Sequence, residues 1–486
     1  MTDTPLRLFN SLTRQLEEFR PLTGNEARVY TCGPTVYNYQ HIGNMRAYVF
    51  ADTLGRALRF KGYDLKHVIN ITDVGHLTSD ADAGDDKIEK AAAAQGKTAW
   101  DIAKFYQADF EADLARLNCR PTEHPRATDY VPAMIEWAKS IADKHCYVLE
   151  GGLYFDTSTV PNYGALARAK TDDGQSRIDP VAGKRQATDF AIWRTTPPGE
   201  TRQMEWDSPW GRGAPGWHLE CSVMSGAILG FPFDIHTGGI DHREIHHPCE
   251  IAQNQAHECG ADSGAQIWMH NNFLIDRRGK MSKSSGEFLR LQTLVDRGFH
   301  PLAYRMMCLQ AHYRSEMEFT WEGLLASQVR LTRLLLARDG FLGNSGVPAE
   351  WDRTHGSEAV EAVIGRLNEA ISEDLDTGKI VATVVPILDQ VLGSVNIQPI
   401  DRWKVIDLFD ELLGLKLGTL KRKDLRIRPV TVTLSDEDIE ARLAERKAAR
   451  AAKDFATSDR IRDDLIARGV EVMDGDPLEW DWKLDI

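Results

Sequence analysis

Cysteine is scarce in this chain: seven in 486 residues, an odd number. That excludes a disulfide framework and favours a reducing compartment in which thiols stay available for metal. Long apolar runs are missing too, so no stretch reaches the ~20 residues of a membrane span. The opening MTDTPLRLFN has no charged leader followed by an apolar stretch, so no export signal is expected and a cytoplasmic location is. No internal repeat or low-complexity tract interrupts the sequence. Positive charge is in deficit, with 58 Lys and Arg against 72 Asp and Glu, a net of −14. A surface coated in basic groups is therefore excluded, while a local positive patch for nucleic acid is not.

What is present is the composition of a globular protein, 42% hydrophobic and 27% charged. The length is too great for one core, and two to four domains are expected. Ala27 to Cys32 reads as a short buried strand. After a Gly33-Pro34 turn, Ala47, Ala51, Leu54 and Leu58 recur on one helical face, and Gly62 is placed to end the helix. Asp64 to Ile71 reads as a second strand. This βαβ unit predicts a parallel sheet that binds ligands at its strand C-termini. YVLEGGLYFDTS predicts a hairpin around Gly151-Gly152, and DFAIWR a further strand, in an insertion at about 120–205. Parallel-type strands are expected again in FPFDIHTGG, 231–239, and QIWMHNNFLID, 266–276. Helical patterns from about 320 to 415 predict a bundle. Arg426 to Thr433 reads as a linker. Ser435 with Asp438 then reads as a capping box opening a charged helix to about Lys453, and Asp459 to Arg468 as a second helix stopped by Gly469.

Two segments suit phosphate. His41-Ile42-Gly43-Asn44 lies between a strand and a helix start, where glycine lets a ligand approach and the helix N-terminus favours an anion. Far downstream, RRGKMSKSSG places Lys280 and Lys283 around Ser282 with a glycine on each side. Such a loop can close on a polyphosphate and stabilise charge during transfer.

Zinc-type ligands stand in three places: Cys32; His218 and Cys221; and the run His242, His246, His247, Cys249, Glu250. A tetrahedral site needs about four such donors. No CxxC pair exists, so a site has to be assembled from distant segments. His246 and Glu250 share a helix face, with Pro248 confining them to the first turn. Spacing leaves Cys249 and His247 as competitors, and His242 as a group that could support a ligand from behind.

The two phosphate segments resemble the HIGH and KMSKS signatures of class I aminoacyl-tRNA synthetases, with Asn44 in place of the final histidine. YTCGPTVYNYQHIGN, NITDVG, GWHLECSVM, DIHTGGID and HHPCEIAQ resemble, in order, segments of the cysteine-specific branch. The resemblance implies an α/β fold: a Rossmann-like parallel-sheet catalytic domain in two halves, 1–120 and 206–320, around an inserted domain at 121–205. A helical bundle at 321–420 and a small C-terminal α+β anticodon-binding domain at 430–486 would follow. It implies Zn²⁺ on Cys32, Cys221, His246 and Glu250, and Mg²⁺ with ATP. It implies catalytic roles for His41, Asn44, Lys280 and Lys283. ATP contacts are implied for these four and for Gly33, Gly43, Gly239, Asp241, Met281, Ser282 and Ser284. Thr72, Trp217 and His246 would line the pocket for L-cysteine, although Trp217 equally suits core packing. Partners would be ATP, L-cysteine and the cysteine-accepting tRNA, with no membrane and a monomeric chain. Zinc would select a thiolate over the near-isosteric serine hydroxyl, where shape alone gives only about 1–3 kcal/mol.

KRKDLRIR, Lys421 to Arg428, and then Arg442, Arg446, Lys447, Arg450 and Lys453 form a basic stretch for RNA. Trp480 and Trp482 are candidates to stack on a base. Two other readings compete: a ligase joining cysteine to an amino sugar, and a non-catalytic RNA-binding paralogue, for which Asn44 speaks.

Overall fold

The computed structural model describes residues 4–74, 87–167, 182–257, 264–276, 279–280, 288–343, 357–392 and 397–484. Its centre is a four-stranded, all-parallel sheet. The strands are β1 (Glu26–Thr31), β2 (Asp64–Ile69), β3 (Phe233–Gly239) and β4 (Ala265–Asn271), in the spatial order β4–β3–β1–β2. The first and third strands in sequence are thus neighbours, and the strand order reverses between them. In open α/β sheets the crevice at the C-terminal ends of such strands receives the ligand.

Helix α1 (Ile42–Phe60) makes the crossover from β1 to β2. Ala51, Leu54 and Leu58 are buried as the periodicity predicts, but so are Arg46, Asp52 and Arg56 on other sides. A single apolar stripe was expected. The helix is instead enclosed, because the parallel sheet covers one side and the helical bundle another. Lys61 caps it and Gly62 follows at φ +87°.

The expected strand at 266–276 splits. β4 stops at Asn271, and Leu274–Asp276 pairs instead with Gly279–Lys280 and Met317–Glu318. The Arg46 guanidinium donates to the carbonyls of Asn272 and Phe273, which turns them away from the sheet. The hairpin around Gly151-Gly152 forms as expected. Its strands, Cys146–Leu149 and Gly152–Phe155, belong to an antiparallel sheet continued by Phe190–Thr195 and Gly213–Pro215.

Four long helices, Trp321–Leu342, Glu358–Ser372, Thr377–Leu392 and Pro399–Leu413, share one apolar core with α1 and the sheet. No regular element spans 426–433, the expected linker. The Ser435–Asp438 capping box is present and opens Asp436–Ala451. The next helix, Phe455–Ala467, begins four residues earlier than expected because Asp454 accepts the Thr457 amide at 3.1 Å. A hairpin, Val470–Val472 with Trp480–Trp482, completes a small separate core. Among the described residues no helix is long and apolar enough to cross a membrane.

Candidate functional site: a thiol–imidazole–carboxylate cluster beside a helix start

Cys32 follows directly on β1. Its neighbour Gly33 can carry no side chain, because a Cβ there would lie 1.4 Å from the Asn70 carbonyl oxygen at the end of β2. The Gly33 amide donates to Asn70 Oδ1 at 2.7 Å. The chain leaving β1 is thereby pinned against β2, and the thiol is presented at the sheet's C-terminal edge.

Helix α2 (Trp217–Leu229) supplies Cys221, and helix α3 (His246–His257) supplies His246 and Glu250 one turn apart. All four side chains are buried, and their donor atoms lie within 4.8 Å of one another. Cys32 Sγ stands 4.0 Å from Cys221 Sγ and 4.0 Å from Glu250 Oε1. His246 Nε2 lies 3.4 Å from Cys221 Sγ and 3.0 Å from Glu250 Oε1. Metal–ligand bonds of about 2.0–2.3 Å in a tetrahedron require donor separations of about 3.3–3.8 Å, so the spacing fits a small divalent cation. Two sulfurs, an imidazole and a carboxylate form a zinc-type donor set.

The electrostatics agree. Burial pushes the Cys32 thiol well up, while the hydrogen bond with Cys32 and the adjacent His246 hold Cys221 down at about 7. Burial alone would depress His246, but Glu250 and Cys221 outweigh it and hold the ring at about 10. Burial would likewise raise Glu250, but His236 and His246 bring it to about 2. The Glu250 carboxylate and the readily ionised Cys221 thus share an enclosed space with a protonated His246, while Cys32 keeps its proton. A bound cation displaces such protons.

A second set of four overlaps the first: Cys32, His236, His247 and Glu250. His247 Nε2 lies 3.2 Å from Cys32 Sγ, and His236 Nε2 lies 2.9 Å from Glu250 Oε2. His247 is therefore a competitor in space as well as in sequence. Cys249 belongs to neither set; its buried sulfur contacts the Tyr163 hydroxyl at 3.5 Å. The His242 ring packs 5.3 Å from that of His246 and 5.6 Å from that of His247, centroid to centroid.

Two participants escaped the sequence reading. His236 engages the second oxygen of Glu250, and Glu220, fully buried, accepts from Thr72 Oγ1 at 2.9 Å. Burial pushes the Glu220 carboxyl well up. Both stand inside segments that had drawn attention, DIHTGG and GWHLEC, and the only signal was a polar residue amid buried neighbours. His218 meets His246 Nδ1 at 3.0 Å and so turns Nε2 of that ring toward the cluster. Trp217 is half-buried, its ring 4.5 Å from that of His246.

His41 caps α1: its Nδ1 accepts the Asn44 amide at 3.1 Å. A Cβ on Gly43 would come within 2.9 Å of the His41 ring. Gly239 caps a five-residue helix, Ile240–Glu244, that holds Asp241 at the end of β3. Lys280 lies in the short strand Gly279–Lys280. Its side chain, and Met281, Ser282, Lys283 and Ser284, lie outside the described residues.

The C-terminal expectation needs correction. Trp480 and Trp482 are 2% and 3% exposed and face the small core, so neither is available to stack on a base. Several basic residues are also engaged internally: Arg422 with Asp476, Arg426 over the Trp480 ring, and Arg446 and Arg450 with Asp474. Lys421, Lys423, Lys447 and Lys453 are exposed.

Residues 18–329 match the family described as tRNA synthetases class I (C) catalytic domain, and residues 435–477 the cysteinyl-tRNA ligase anticodon binding domain. A cysteine–tRNA ligase of Novosphingobium aromaticivorans is 62% identical over 487 residues, covering 99% of this chain and 97% of that protein. The chain belongs to the cysteine–tRNA ligase family. A second member, from Zymomonas mobilis, is 49% identical over 99% of this chain and 98% of its own length. Membership makes this an aminoacyl-tRNA synthetase and a ligase. The family's fold extends further: methionyl-tRNA synthetase of Mycobacterium tuberculosis, solved with methionyl-adenylate, superposes with a TM-score of 0.54 at 14% identity. That match covers 84% of this chain and 97% of the other.

Proposed function

We propose that this enzyme activates L-cysteine with ATP, forming cysteinyl-adenylate, and transfers the cysteinyl group to the 3′ end of its tRNA. The observation that carries the reading is the convergence of Cys32, Cys221, His246 and Glu250 at the strand ends, beside the helix start capped by His41. These four residues would hold Zn²⁺, which when bound supplies a soft partner for the substrate thiolate. Thr72 and Trp217 would border the amino-acid pocket with His246. Gly33, Gly43 and the start of α1 would receive ATP phosphates, with His41 and Asn44 as hydrogen-bond donors. Gly239 and Asp241 would contact the nucleoside. Lys280 and Lys283, with Met281, Ser282 and Ser284, would close over Mg²⁺–ATP.

The cysteine carboxylate attacks the α-phosphorus and pyrophosphate leaves. A terminal ribose hydroxyl of tRNA then attacks the carbonyl carbon, loses its proton, and AMP leaves. No side-chain nucleophile is needed; positioning and charge stabilisation do the work. The division of the chain at 120, 205, 320 and 430 assigns activation to the two sheet halves and tRNA reading to residues 430–486. The match over 435–477 supports tRNA as acceptor over an amino sugar. We take the chain to act as a monomer in the cytoplasm.

The test is ATP–pyrophosphate exchange with cysteine and with serine, run beside tRNA charging and zinc analysis. Cysteine should support exchange, serine should not, and Cys221→Ser should lose bound zinc while Cys249→Ser keeps it. Equal exchange with serine would defeat the zinc-selection reading; exchange without charging would defeat the tRNA reading.

A further inference from the structure

The start of α1 is held by a residue that neither phosphate-type signature includes. Residues 288–290 lie alongside the turn that leads into the helix. The Ile42 amide donates to the Leu289 carbonyl at 2.9 Å, and the backbone of Arg290 pairs antiparallel with that of His41. The Phe288 ring stands edge-on to the His41 ring, 6.0 Å between centroids. From the other side the Tyr304 hydroxyl donates to the Ile42 carbonyl at 2.6 Å. Residues 288–290 thus help to set where the His41 ring and the first turn of α1 sit.

So short a backbone pairing is marginal by itself, and the Arg290 side chain adds to it. Its guanidinium stacks 3.2 Å from the Tyr39 ring centroid, and Nη2 lies 3.7 Å from Asp109 Oδ1. Tyr39 stands two residues ahead of His41. One residue therefore grips the turn twice, by backbone at His41 and by side chain at Tyr39. Helix Ala99–Arg116 backs both partners, with Tyr106 and Asp109 one turn apart on it: the Tyr106 ring meets Tyr39 edge-on at 5.1 Å, while Asp109 faces the guanidinium. The ion pair is partly solvated and contributes little alone. The flat guanidinium on the ring supplies the direction, which a lysine ammonium would not.

We propose that Arg290 is a positioning residue for ATP: clamped between Tyr39 and Asp109, it holds residues 288–290 against His41 and so fixes the helix start that receives the phosphates. The inference rests on the function proposed above, in which that helix start binds ATP. A small displacement of groups that orient a reacting phosphate is costly to the rate. The cluster of Cys32, Cys221, His246 and Glu250 is built on the end of β1 and on α2 and α3. Loosening the clamp should therefore weaken the use of ATP and spare cysteine and zinc.

The test uses the full chain with Arg290→Ala, Arg290→Lys, Tyr39→Leu and the double variant Tyr39→Leu with Arg290→Ala. In cysteine-dependent pyrophosphate exchange, kcat/KM for ATP should fall about tenfold in Arg290→Ala and in Tyr39→Leu, with the KM for cysteine and the bound zinc within about twofold of the parent. Retained zinc and cysteine affinity also report an intact fold. Arg290→Lys keeps a charge beside Asp109 without the flat face and should recover part of the loss. The double variant should be no worse than the worse single one, because either change already opens the same clamp. Unchanged ATP kinetics, an equal fall toward ATP and cysteine, or additive losses in the double variant would overturn the positioning role. Absence of exchange in the parent would instead overturn the function reading, so the two failures are distinct.

Discussion

At His41 the Nδ1 nitrogen accepts the Asn44 amide, which places the ring proton on Nε2. The neutral imidazole is then already a donor. That bond uses the backbone of Asn44, so the exchange of histidine for asparagine at this position leaves the capping geometry intact. Asp113 makes a different kind of statement. It is buried, with Asp109 one turn before it, Arg116 at 3.2 Å one turn after, and Arg290 near Asp109. Burial, reinforced by Asp109, pushes its carboxyl up to about 6. An acid whose folded value lies above its unfolded one is penalised where the folded form is ionised. The penalty is absent below about pH 4, grows between about 4 and 6, and is full above that. Asp113→Asn should therefore raise stability at pH 7.5 by about 1–2 kcal/mol, discounted for solvent around Arg116, and change little near pH 4. Thermal melts at the two pH values check this; an equal gain at both would contradict it.

At the scale of elements, close backbone approach decides what can be packed. Gly33 lets the ends of β1 and β2 touch, and this fixes where Cys32 stands. Gly414 does the same for the bundle. It ends the helix Pro399–Leu413 in the left-handed region at φ +63°, under two buried guanidinium groups. Arg305 donates there to the Leu413 carbonyl at 2.6 Å and to Asp52 at 2.6 Å, and Arg56 donates to Asp52 at 2.7 Å and to the Glu411 carbonyl at 3.0 Å. This knot ties α1, whose first turn His41 caps, to the bundle. A Cβ on Gly414 would lie 2.6 Å from both guanidinium groups, and their hydrogen bonds keep them from yielding. Gly414→Ala should cost about 2–3 kcal/mol, from strain at positive φ plus the clash. Urea unfolding would read it as a lower midpoint at unchanged slope, and an unshifted midpoint would count against the knot.

Over the whole molecule, a net charge of −14 coexists with the expected grip on an RNA polyanion. The C-terminal unit resolves this by division of labour. Arg446 and Arg450 of its first helix are tied to Asp474, and Arg422, just ahead of the linker, to Asp476, both acids lying in the turn of the hairpin, while Lys421, Lys423, Lys447 and Lys453 stay exposed. Neutralising those four lysines should weaken tRNA binding and flatten its dependence on salt, by about one unit of log–log slope for each phosphate no longer neutralised. Replacing Trp480 by Phe should leave that slope unchanged. Filter binding across a salt series separates the outcomes: an unaltered slope in the lysine variants would place the RNA elsewhere.

Much was legible in order along the chain. Strand, glycine turn and helix around Cys32 followed from periodicity, the hairpin from Gly151-Gly152, and the capping box from Ser435 and Asp438, because each depends on residues a few positions apart. The proposed ligand set was legible only by resemblance, since Cys32 and Cys221 are 189 residues apart and no spacing encodes a meeting across a sheet. Trp-Asp-Trp at 480–482 misled. Its two rings share one face of a strand, and only the pairing with Val470–Val472 shows that this face is inward. His236 and Glu220 were hidden for the same reason, being neighbours of the cluster through space alone. Local backbone preference and turn chemistry determined the elements; which buried polar groups meet, and which basic groups still face water, was decided by tertiary packing.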